Sequence, residues 1–232
     1  MGALGLAACS MPTADEGDQP RSIVAEVDAL PACPAVAEDG GGVRLTYGDG
    51  ATDTVWADGP TASVVEIRDP QGRLSAVLDT EGGAFLTRSR RPDGTVSLRL
   101  EREPAAADML PLAEGFRAEF RLVRRSGFGD PVLARQETAV RGVGTMRLAQ
   151  GCTYQVLFVE YAQPGDSTGA TASVAWNVPA LRLNVATADG RYADIVADRG
   201  SVLRGVRLPL QAEPVPPRGL VGPEAGVGPS GS

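Results

Sequence analysis

The chain has 232 residues, 43% of them hydrophobic but only 5% aromatic, and a formal net charge of -7. That is enough for one ordinary core built mainly from Val, Leu and Ala, while the acidic balance argues against nucleic-acid binding, which needs a basic field. There is no histidine and all 22 basic residues are arginine, which excludes His-assisted nucleophiles, histidine metal sites, a P-loop lysine and Schiff-base chemistry and leaves carboxylates, tyrosines and hydroxyls to move protons.

Residues 1–20 read as signal remnant and tether. Leu6-Ala7-Ala8-Cys9 is followed by a polar run from Ser10 to Pro20. It resembles the lipobox of bacterial lipoproteins, in which the Cys thiol is acylated, the preceding peptide is removed and the lipid holds the protein to a membrane. A working signal needs a basic segment and an apolar stretch of roughly 7–15 residues before the cysteine, and so requires residues upstream of Met1. Nothing else in the chain approaches the ~18 apolar residues of a membrane span. The resemblance therefore implies lipidation at Cys9 and a place on the periplasmic side of the bacterial cell envelope, at the outer membrane. With Cys9 assigned to lipid, Cys33 and Cys152 remain as a pair. In an exported protein such a pair reads as a disulfide; two separate buried thiols are the other arrangement.

A single β domain is expected over 21–210. Ile23, Val27 and Leu30 have helical spacing, and Pro31 and Pro34 end that short helix. From Val43 strands and turns alternate. Val43, Leu45 and Tyr47 share a face, and "DPQG" (Asp69 to Gly72) and "RPDG" (Arg91 to Gly94) are tight-turn sequences. Val96, Leu98 and Leu100 alternate with Ser97, Arg99 and Glu101, the pattern of an antiparallel meander with one wet face. The connection 103–115 is Pro- and Ala-rich, with room for one helical turn. Phe116, Ala118, Phe120 and Leu122 alternate again. Residues 131–151 are expected to form two strands around Gly142 to Gly144. The strand that follows Cys152 is apolar on both faces and so central. Residues 181–198 are expected to be a hairpin on Ala-Asp-Gly, with a last strand over 201–210. Residues 211–232, rich in Pro, Gly and Ser, are expected to be a disordered tail. The fold class that follows is all-β: an antiparallel meander of about ten or eleven strands with one or two short helices. So large a sheet must curl into a half-barrel or fold into a two-layer sandwich.

Residues 141–190 carry a Gly-containing strand, then "GCTYQV", then Trp-x-x-Pro-x-Leu-x-Leu-x-Val. This is similar to a pattern in bacterial envelope proteins of unknown function that have a curved antiparallel sheet. Trp176, Pro179, Leu181 and Val185 match it, and Arg182 stands where the pattern has Gly. The resemblance implies a curved sheet and transfers no catalytic residue.

Candidate sites are few. Trp56 and Trp176 are candidates to line an apolar ligand pocket. Asp49, Asp53 and Asp58 sit in turns of a kind that can bind Ca²⁺, although Asp-Gly is ordinary turn chemistry. Arg88, Arg90 and Arg91, and Arg121, Arg124 and Arg125, are basic knots suited to anions or to plain solvation. Glu119, Glu137 and Glu160 could supply a carboxylate pair. The expected function is a non-catalytic binding or structural module of the envelope, without metal or cofactor. Its expected partners are the membrane, through the lipid, and an apolar ligand or another envelope protein. A carrier of an acyl chain and a carboxylate-based glycan hydrolase are the alternatives.

Overall fold

The computed structural model describes residues 33–127, 129–164, 171–197 and 208–218. Cys9, the tether and the helix expected over 21–30 lie outside the described residues.

Twelve strands form one antiparallel sheet. They are β1 (Gly42–Tyr47), β2 (Thr52–Ala57), β3 (Ala62–Arg68), β4 (Leu74–Glu81), β5 (Phe85–Arg90), β6 (Val96–Glu103), β7 (Arg117–Ser126), β8 (Val132–Arg147), β9 (Thr153–Gln163), β10 (Thr171–Val178), β11 (Leu183–Asp189) and β12 (Pro209–Val215). Each strand from β1 to β11 pairs with the next in sequence, and β12 returns to pair with β1. Turn chemistry sets the early registers. Asp69 Oδ1 accepts from the N–H groups of Gln71 (3.0 Å) and Arg73 (2.9 Å), with Gly72 at φ 78°. Asp93 Oδ1 accepts from Thr95 N–H in the same way (2.9 Å), with Gly94 at φ 84°. Such side-chain acceptors hold the turn in one conformation, and the turn then fixes which residues face each other.

The register stacks Val43, Val55, Val65 and Leu78 across β1 to β4. Val43, Val55 and Val65 belong to a core that also takes Tyr154 and Val156 of β9, Val174 and Trp176 of β10, and Val185 of β11. The sheet curls into a nearly closed barrel. At the β8–β9 turn, Ala149 N–H donates to Leu210 O (3.0 Å), and the Gln150 side chain exchanges two hydrogen bonds with the Ala212 backbone (3.0 and 3.1 Å). The odd-numbered face of β9 is buried too. Leu157 and Val159 pack with Val140, and Tyr161 meets Phe85, which lies against Phe120. β9 is therefore covered on both faces, as its run of apolar residues predicts.

Four expectations change. Among the described residues the strands number twelve, one or two more than the expected ten or eleven. Residues 132–147 form one 16-residue strand, because a bulge between Val140 and Gly142 absorbs the glycines without ending the pairing with β9. The Ala-Asp-Gly turn leads into the helix α1 (Tyr192–Ala197), not a returning strand. Finally β12 carries the ordered chain to Val215, past the expected boundary at 210. Pro209 and Pro214 are tolerated there because β12 is an edge strand, where a missing N–H breaks no ladder on the open side. Beyond it, Trp56 Nε1 donates to Pro216 O (3.1 Å) and the Arg218 guanidinium lies over the Trp56 ring.

Candidate functional site

Cys33 and Cys152 are joined by a disulfide, with Cα atoms 5.2 Å apart and 119 positions of chain between them. Two further contacts seat the segment that follows Cys33. Tyr154 OH donates to Pro34 O (2.5 Å), and Val36 N–H donates to Ala180 O (2.9 Å). Together they fasten the start of the described chain to β9 and to the 3₁₀ turn Pro179–Leu181.

A cavity of about 490 Å³ opens on the odd-numbered face of β9. The register assembles it. Tyr161 opposes Ser173, Ser173 opposes Asp189, and Asn177 opposes Asn184. The other wall comes from Leu86 of β5, Arg102 of β6 and Gln136 of β8. Further along the same face, Val159 and Leu157 close the core, so the change from apolar to polar residues along one strand marks where packing ends and the cavity begins. Small side chains on β10 (Thr171, Ala172 and Ser173) leave the space.

Its polar groups are held from behind. Tyr161 OH donates to Ala84 O (2.6 Å); Asn184 Nδ2 reaches the same carbonyl (3.2 Å) and the Tyr161 oxygen (3.3 Å). Asn177 Nδ2 donates to Asn184 Oδ1 (3.0 Å) and fixes the orientation of that amide. Burial pushes the Tyr161 hydroxyl up to about 12, against the opposing effects of Asn184 and the Arg102 charge, so it is a neutral donor at ordinary pH. Arg102 donates from Nε to Gln136 Oε1 (3.2 Å) and from Nη1 to Leu86 O (2.7 Å), and its guanidinium lies 5.3 Å from the Phe85 ring centroid. Burial lowers its pKa, with Tyr161 opposing.

Glu119, Glu137 and Glu160 do come together, around a smaller cavity of about 310 Å³ that Arg117 and Arg141 also line. Glu119 and Glu137 are directly opposed in register. Burial pushes the Glu160 carboxyl up. The Tyr192 N–H (2.8 Å), Arg141 (2.8 Å) and Arg191 (3.2 Å) outweigh that and hold it below the usual carboxylate range. Arg135 holds Glu119 down in the same way. Arginine partners thus favour the carboxylate form of both.

The remaining sequence candidates serve structure. Trp176 is buried, edge-on to Phe158, and Trp56 is covered by the chain after β12; neither lines the two cavities above. Asp49 caps its own turn through Ala51 N–H, and Asp53 accepts from Tyr47 OH. Arg88 and Arg90 both bind Asp79. Arg121 pairs with Glu103 and Arg125 with Glu101 on the surface. Arg102, Gln136 and Asn184 were not singled out by the sequence. Their only signal is a polar residue at an inward position of an alternating strand, and that shows only once the register is known.

A third cavity, about 320 Å³, lies under Leu110, Pro111 and Leu112 and beside Arg182. Arg182 has φ 48°, the left-handed conformation that favours glycine, which accounts for the Gly in the pattern the second half resembles. Arg182 Nη1 donates to Gly59 O (2.8 Å). Gly83, also left-handed at φ 68°, packs against the Arg182 backbone where a side chain would overlap it.

No family model matches the chain, and no curated protein matches its sequence. Among solved structures it is similar to the hypothetical lipoprotein YmcC from Escherichia coli K12, with a TM-score of 0.40 and 12% sequence identity, over 87% of this chain and 99% of that one.

Proposed function

We propose that this chain is a lipid-anchored, non-catalytic binding module of the bacterial envelope, and that the cavity beside Arg102 is its binding site. The observation that carries the binding role is the cavity itself: about 490 Å³, with polar groups that converge on it and are held by second hydrogen bonds. That is the form of a preformed small-molecule site. The lipobox-like Leu6 to Cys9 supports the anchor, and the Cys33–Cys152 disulfide fits an oxidising compartment. The lack of His and Lys supports a role without catalysis.

The anchor is tested by expressing the gene with its upstream region in a bacterial host fed labelled fatty acid. The protein should take up label and fractionate with the outer membrane, and Cys9→Ser should do neither. Equal labelling, or none in both, refutes the anchor. The apolar-carrier alternative has its own place in the structure, the cavity under Leu110 to Leu112. Uptake of a fluorescent fatty acid that is lost in Leu110→Asp would favour it.

A further inference from the structure

We infer that the cavity beside Arg102 takes a small polar anion, a molecule with a carboxylate or phosphate at one end and hydroxyl or ammonium donors at the other. This rests on the cavity being a binding site, and it adds the charge of what binds.

Three arginines that are partly shielded from water are matched by acids. Arg90 meets Asp79, and Arg141 and Arg191 meet Glu160. Each has a carboxylate within ion-pair distance, because a desolvated charge is costly unless it is matched. Among the described residues Arg182 has only the Gly59 carbonyl, at an exposed contact; Arg102 departs from that pattern at a part-buried one. Its acceptors are the Gln136 amide and the Leu86 carbonyl, both neutral. Among the described residues no carboxylate pairs with it, and its Nη2 has no acceptor. The charge is left uncancelled at the wall of a cavity with room for a ligand.

The surrounding groups select further. Phe85 under the guanidinium fixes the plane of the fork, which suits a two-point contact with a carboxylate or phosphate. Across the cavity, Ser173 and Asp189 face each other on neighbouring strands. Asp189 is the acid of the lining and calls for a donor. An apolar ligand would leave both Arg102 and Asp189 unmatched, and a ligand with a second anionic group at its far end would meet repulsion at Asp189.

Two matched pairs of probes test this with the whole chain, read by backbone amide shifts in NMR titrations. They are gluconate against sorbitol, and glycerol 3-phosphate against glycerol. The expected result is that at least one anion moves the amides of Gln136, Tyr161, Ser173 and Asn184 while its neutral twin does not, and that the pair which responds names the anionic group. Arg102→Gln should weaken that anion at least tenfold, Arg102→Lys less, and Arg44→Gln, an exposed residue on β1, should leave it unchanged. Should Arg102→Gln fail to fold, Arg102→Lys and the anion-to-neutral contrast in the natural chain carry the test. Neutral twins that bind as well as the anions would overturn the anion inference and leave the cavity as a binding site. Shifts confined to other surfaces, or no shifts with any probe, would overturn both.

Discussion

Opening the Cys33–Cys152 bridge should remove a large part of this domain's stability. The bridge closes a loop of 119 positions. In the chain-entropy model that constraint on the unfolded chain is worth about 5 kcal/mol at 25 °C, within a typical total of about 5–15 kcal/mol. The native contacts of the tethered segment, Tyr154 to Pro34 and Val36 to Ala180, survive reduction in principle, so the loss should be entropic and fall on the unfolded state. Urea unfolding of the oxidised protein, the reduced protein and Cys33→Ala/Cys152→Ala would measure it. With a slope of about 2 kcal/mol per molar urea, the midpoint should fall by about 2.5 M, equally in the reduced and double-Ala forms. A fall under ~0.5 M would refute the loop-closure argument. Peptide mapping without reductant should recover one Cys33–Cys152 pair that disappears on reduction.

Gly83→Ala should destabilise by about 3 kcal/mol or more in thermal or urea unfolding, because a Cβ there overlaps the Arg182 backbone and Gly83 has a left-handed φ. Arg182→Gly should stay within about 1 kcal/mol of the natural chain, since the relief of its own left-handed strain offsets the lost contact to Gly59; a loss like that of Gly83→Ala would contradict this. Glu160→Gln should cost about 2–3 kcal/mol at pH 7, less than the ~3–5 of a fully buried pair, because Arg141 and Arg191 are 31% and 42% exposed. The Glu160 pKa is depressed on folding, so its contribution is full above its ordinary 4.5 and is lost as pH falls below that. The gap between natural and Gln forms should therefore close in acid, and a gap constant down to pH 2 would refute the assignment. Tyr161 has the opposite sign: its pKa is raised, so its contribution is full below about pH 10 and fades as pH rises toward 12. Absorbance at 295 nm should show two tyrosines, Tyr154 and Tyr161, ionising late because burial raises both, and Tyr161→Phe should remove the earlier of these two steps.

Much of the sheet was legible because strand faces write themselves as alternation. Val43, Leu45 and Tyr47 are inward as their spacing predicts, and the turns at Asp69 to Gly72 and Arg91 to Gly94 lie where their residues place them. What failed was local signal overruled by neighbours. Gly142 and Gly144 look like a break, yet Phe158 packs over Gly144 and Tyr192 over Gly142, so the missing side chains make room for rings. The prolines of β12 look like tail until β1 supplies a partner. The site was the least legible part. Arg102 in "LRLERE" reads as one more solvated arginine, and only the curl of the sheet sets it against Gln136 and Tyr161, residues 34 and 59 positions away in sequence.

The two prolines of β12 also bear on how these molecules behave in a crowd. β1 is a strand of buried apolar residues, and if β12 were missing it would offer a row of open N–H and C=O groups on which a second chain could template itself. β12 fills that row; beyond it the Gln150 side chain takes up the Ala212 backbone groups and Ala149 N–H the Leu210 carbonyl, and Pro209 and Pro214 have no N–H to offer. β12 thus works as a guard against edge-to-edge aggregation, at its most needed where a lipid would concentrate many copies on one surface.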